Sequence, residues 1–114
     1  MGRPTVWVRP LIRPTLERLD GIDPSDPYVR RFWTAAIGPG AVADLLRMVA
    51  AARRGAGIRH PLFLHVLVRE SLAGHRDGRV WVVDRVPPLP SVLARRLSPG
   101  LRAEHRRWME RRRP

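Results

Sequence analysis

Arginine supplies all 22 basic side chains of this sequence, and ten carboxylates oppose them, leaving a formal charge of +12 over 114 residues. The chemistry these groups offer is recognition: a guanidinium is a planar fork of N–H donors that matches phosphate or the guanine edge bidentately. A chain with this surplus is drawn to polyanions. Lysine, asparagine, glutamine and cysteine are all absent, the mark of a very GC-rich genome, so part of the arginine count is arginine standing where lysine otherwise would. That bias exchanges one cation for another and removes no carboxylates. The net charge therefore stands.

The charge is uneven. Residues 1–57 carry nine arginines against five acids, whereas residues 58–114 carry thirteen against five. The densest block closes the chain: Arg102, Arg106, Arg107, Arg111, Arg112 and Arg113, opposed by Glu104 and Glu110. Trp108 stands among them, where it either stacks on a base or a guanidinium or anchors a helix to the core.

Other chemistries find little footing. Without cysteine there is no disulfide framework, thiolate metal site or Cys nucleophile. His60, His65, His75 and His105 lack the His-x-x-x-His or Glu-x-x-His grouping of a metallohydrolase, so no metal is expected. Ser25, Ser71, Ser91 and Ser98 stand in cap or turn contexts without a nucleophile-elbow sequence. Asp23, Asp26 and Asp44 read as turn, cap and surface groups. Gly38-Pro39-Gly40 lacks the Lys and Ser/Thr of a P-loop and reads as a helix break. The expectation is a non-enzyme with no cofactor and no small-molecule substrate.

The elements that would position the arginines follow from local chemistry. Arg3-Pro4, Arg9-Pro10 and Arg13-Pro14 rule out a long helix before Thr15 and read as an arm over residues 1–25, with a short edge strand at 5–8 and a single helical turn at 15–19. Asp26 as N-cap with Pro27 at N1 opens a helix whose Val29, Phe32, Trp33, Ala36 and Ile37 share one face. A second helix, 41–54, places Val42, Leu45, Leu46, Val49 and Ala50 on one side and ends at Arg53-Arg54-Gly55. Residues 61–72 are apolar nearly all round; Pro61 and the leucines favour a helix, while Val66 and Val68 leave a buried strand open. Asp77-Gly78 suits a tight hairpin leading into a strand at 80–84. Ser91 and Ser98-Pro99 cap two further helices, the last running to about Arg112 with Leu101, His105, Trp108 and Met109 as its stripe.

The order helix, helix, helix, hairpin, and within it Leu67-Val-Arg-Glu-Ser-Leu72, Ala73-Gly-His-Arg-Asp-Gly-Arg79 and Val80-Trp-Val-Val83, resembles winged helix-turn-helix DNA-binding proteins over residues 27–86. There the recognition helix ends, a strand begins, and a basic wing turns into the second strand. The sequence departs from that pattern at Ser71, where many winged helices place glycine. The resemblance implies an α+β fold, mainly α with a small β-hairpin: an arm at 1–25, a winged-helix-like core at 26–90 and a basic helical extension at 91–114. It also implies that Arg59, His60, His65 and Arg69 lie near the groove side of the third helix and Arg76 and Arg79 on the wing.

On a third helix placed at 100° per residue, the core arc of Leu64, Leu67, Val68 and Ser71 leaves Leu62 and Val66 outward, where they either touch thymine methyl groups or, the more common outcome, pack on another element or a second subunit. The expected function is nucleic-acid binding, DNA before RNA, with the C-terminal arginines on phosphates and Arg3, Arg9 and Arg13 of the arm in a minor groove. Two alternatives remain: an RNA- or ribosome-associated protein, and a protein-interaction adaptor or oligomeric scaffold, a homodimer among its forms, that uses Leu62 and Val66 and binds no nucleic acid. No apolar run approaches the ~18–20 residues of a membrane span and the N-terminus lacks a signal-peptide core; the expected place is the bacterial cytoplasm, on the nucleoid if DNA is bound.

Overall fold

The computed structural model describes residues 7–13 and 21–112. Arg3, Arg113 and the helical turn expected at 15–19 lie outside them. The fold is α+β: strands β1 (Trp7–Val8), β2 (Leu11–Arg13), β3 (Ile58–Arg59), β4 (Ala73–Arg76) and β5 (Arg79–Val83), with helices α1 (Thr34–Ile37), α2 (Pro39–Arg54), α3 (Leu64–Arg69), α4 (Ser91–Ala94) and α5 (Pro99–Arg112). A π-helical segment, Val29–Trp33, leads into α1.

Local signals fix several boundaries. The Asp26 carboxylate accepts the Tyr28 backbone N–H at 2.8 Å, satisfying one orphan donor of the turn that Pro27 opens. The π-helical segment buries Val29, Phe32 and Trp33 together, and the Trp33 indole N–H donates to the Pro87 carbonyl at 2.9 Å. Helix α2 ends where Gly55 takes φ 65°, letting Ala56 N–H reach the Ala51 carbonyl at 2.9 Å. Asp77 (φ 52°) and Gly78 (φ 74°) make the two-residue turn between β4 and β5.

Two sheets form. β1 pairs antiparallel with β3, and a three-stranded sheet has the order β2-β5-β4, with β4 and β5 an antiparallel hairpin and β2 running parallel to β5. Within the segment expected as an arm, β1 (Trp7–Val8) falls inside the edge strand expected at 5–8, and β2 (Leu11–Arg13) is a further strand that joins the central sheet. Arg9, expected in a minor groove, is exposed, and its Nε–H donates to the Gly55 carbonyl at 2.9 Å, a cation on the negative end of α2. Val80 and Val82 are buried on one side of β5 with Leu45, Met48 and Val49 of α2 and Leu64 and Leu67 of α3. Arg79 and Trp81, which alternate with them, take the other side.

Residues 61–72 form a helix only from Leu64 to Arg69. Its buried residues are Leu64, Val66 and Leu67, while Val68 is exposed. Val66, expected at a partner interface, is 9% exposed and belongs to the core, whereas Leu62 is 83% exposed. The cause is phase: Leu62 and Phe63 are a turn, so the helix starts three residues after Pro61 and sits rotated from the arc expected for a longer one. Asp44 holds that turn. Expected at the surface, it is buried, and its carboxylate accepts the Phe63 N–H at 2.9 Å and an Arg47 N–H at 2.8 Å.

Helix α5 lies against the start of the first helix through aromatic contacts. Trp108 is 4.0 Å from Tyr28 between ring centroids, and His105 lies 5.0 Å from Phe32. Among the described residues no helix is long and apolar enough to cross a membrane.

Candidate nucleic-acid interface

The outward side of the β2-β5-β4 sheet is where separately expected cations meet. Trp81 stands opposite Leu11 on β2 and opposite Gly74 on β4. Gly74 is needed there for space: a Cβ at that position would fall 2.3 Å from the Trp81 ring, so the indole lies across the bare backbone of β4. Arg13, two residues along β2 from Leu11, stacks its guanidinium over the same indole, 4.6 Å from the centroid. Across the hairpin, Arg76 pairs with Arg79 in register.

Together Leu11, Arg13, His75, Arg76, Arg79 and Trp81 line a hollow of about 450 Å³, with Asp77 at the hairpin tip the acid among its lining residues. Arg13, Arg76 and Arg79 are exposed. Three guanidinium groups around one indole leave the hollow net positive, the electrostatic and stacking combination that anionic aromatic ligands require.

A second hollow, about 460 Å³, adjoins at His75. His60, Leu62, His65 and Val68 line it along with Pro61 and Leu64. Three of the four histidines therefore gather at one surface, as does exposed Leu62. Among the described residues no group of three His, Cys, Asp or Glu side chains is arranged to hold a metal ion.

Comparison with protein-family models, with curated proteins and with solved structures gives no match. The site therefore stands on its own geometry.

Not every expected contact residue joins it. Arg59 is exposed on β3, opposite Trp7. Arg69 donates from Nε to Glu70 at 3.1 Å, which offsets its charge locally. Arg102, Arg106, Arg107, Arg111 and Arg112 are exposed along α5 and line neither hollow. Glu104 is engaged by Arg31 in a two-pronged ion pair, one contact 2.9 Å long, and that guanidinium holds its carboxyl below the usual carboxylate range. Trp108 packs against Tyr28 in a tilted contact, and the Arg112 guanidinium lies over its ring, 4.7 Å from the centroid.

Trp81 is not among the residues expected at the site, although the alternation Arg79-Val80-Trp81-Val82 puts the one large aromatic of the strand on the side away from the valines.

Proposed function

We propose that this chain is a nucleic-acid-binding protein of winged-helix type, with duplex DNA as its ligand and α3 and the β4–β5 hairpin turned to it. One observation carries the reading: Arg13, Arg76 and Arg79, from a strand and a hairpin more than sixty residues apart in sequence, line a single hollow around Trp81. Grouped cations lower the free energy of a phosphate backbone more than the same charges dispersed, because each phosphate then lies within a Debye length of several of them. Exposed His65 on α3 and His75 on β4 line the adjoining hollow together, so the surface reaches α3, as the winged-helix resemblance implies. The exposed arginines of α5 add a second basic strip for flanking phosphates.

In this reading Arg76 and Arg79 take phosphates or a guanine edge, and direct readout leans on arginine because the chain has neither Asn nor Gln to grip adenine. The test is a titration of labelled duplex DNA across a range of salt. With about six phosphates neutralised, log K falls with log salt at a slope near −5. A slope near zero overturns the proposal.

A further inference from the structure

We propose that the outward face of the β2-β5-β4 sheet is a stacking site for an unpaired nucleobase, so that single-stranded nucleic acid is a ligand of this chain in its own right. The inference rests on the nucleic-acid reading above and names the ligand of its central hollow.

Three observations converge. First, the layers are already in place: the backbone of Gly74, the indole of Trp81 across it, and the Arg13 guanidinium carbon over the indole, 4.6 Å from its centroid. A guanidinium on an aromatic ring presents its second plane to solvent, and a base adds to that plane as the next layer. Second, the hollow beside this stack, at about 450 Å³, has room for a base with its sugar, and exposed Leu11 supplies an apolar edge to its wall. Third, the cations are placed at the margin, with Arg76 and Arg79 across the hairpin from one another. A base on the stack would bring its flanking phosphates toward them. A base inside an intact duplex is stacked on both sides and offers no free face, so this site discriminates unpaired from paired strands.

The test compares a labelled oligothymidylate, an oligouridylate and a duplex at one salt concentration, for the wild type and two variants. Trp81→Leu keeps an apolar cover on Gly74 but removes the ring. Arg13→Lys keeps the charge but removes the plane. A base stacked on this platform makes the single-strand to duplex affinity ratio fall about tenfold in Trp81→Leu and severalfold in Arg13→Lys, with both variants retaining a cooperative thermal transition. The ratio of oligothymidylate to oligouridylate affinity tells whether DNA or RNA is the source of the base. An unchanged ratio in both variants, or no single-strand binding by the wild type while the duplex still binds with its salt slope, overturns this inference and leaves the proposed function intact. Absence of salt-dependent binding to any of the three overturns both.

Discussion

The Tyr28 hydroxyl lies 2.6 Å from His105 Nε2, and it also accepts the Leu89 backbone N–H at 2.8 Å. Both side chains are buried. Were His105 to donate from Nε2, the phenol proton would be left without an acceptor in the interior, a loss worth about 1–3 kcal/mol. The hydroxyl therefore donates to Nε2, and His105 is the neutral tautomer with its proton on Nδ1. Three parts of the chain meet at this one hydroxyl: the first helical turn, the proline-rich link after β5, and α5.

The pair makes stability depend on pH at both ends. Burial pushes His105 below its ordinary 6.5, so as pH falls the unfolded chain takes up this proton first. Stability from His105 is thus fully present above about pH 7 and is lost as pH falls from 6.5 toward the lower folded value. Burial also pushes Tyr28 up to about 12 from 10, so the unfolded chain ionises first as pH rises, and stability is lost between 10 and 12. Urea unfolding of wild type and His105→Gln, whose side-chain oxygen still accepts from Tyr28 but does not titrate, checks the acid limb. The wild type's lead over the variant shrinks as pH falls from 7.5 to 5; a constant difference contradicts the assignment.

Asp44 fixes the start of α3 from a helix nineteen residues earlier. Replacing it with Ala leaves the Phe63 N–H without its charged acceptor and is expected to cost about 2–3 kcal/mol. Asp44→Asn, which keeps an acceptor oxygen, loses about half of that. Chemical denaturation at neutral pH gives both values, and equal losses for the two variants would show that charge rather than the hydrogen bond holds the turn.

These two contacts also mark the limit of what the sequence discloses. Asp26 with Pro27, Gly55 after Arg53-Arg54, and Asp77-Gly78 each act within a few residues, so their side-chain and backbone preferences are legible directly. The parallel pairing of Leu11–Arg13 with Trp81–Val83 joins segments some seventy residues apart, and no local preference encodes it; hence residues 1–25 read from sequence as an arm, and the contact of Arg13 with Trp81 is visible only in the fold. Residues 64–69 are too few for a helical period to select a face, so packing chose it, and Val66 turned inward. Asp44 carries the same residue type whether it faces water or caps a distant turn. The basic hollow was accordingly half legible: Arg76 and Arg79 from their hairpin, Trp81 and the position of Arg13 only from the folded chain.

Ser71 sits at φ 61°, in the left-handed region, just past Glu70, the C-cap of α3. The Leu72 N–H reaches back to the Leu67 carbonyl at 2.9 Å and the Ser71 N–H to Val68 at 3.0 Å, a helix end that favours glycine at this position. Ser71→Gly removes the Cβ clash of that conformation and is expected to stabilise the fold by about 1 kcal/mol, raising the thermal midpoint by a few degrees. Calorimetry checks it.

The two basic surfaces are separable by their salt dependence. Arg76 and Arg79 line the hollow at the hairpin, while Arg106 and Arg107 lie on α5 outside it. Each arginine that neutralises one phosphate contributes about one unit to the slope of log K against log salt. Arg76→Ala with Arg79→Ala therefore reduces the magnitude of the duplex slope by about two, and Arg106→Ala with Arg107→Ala does the same if α5 lies along the same strand. Because all four side chains are exposed, neither double variant is expected to shift the thermal midpoint much, so a lost slope reports on binding rather than folding. A slope that drops only for the α5 pair transfers the duplex contact to the C-terminal helix, leaving the hairpin hollow to the unpaired base alone.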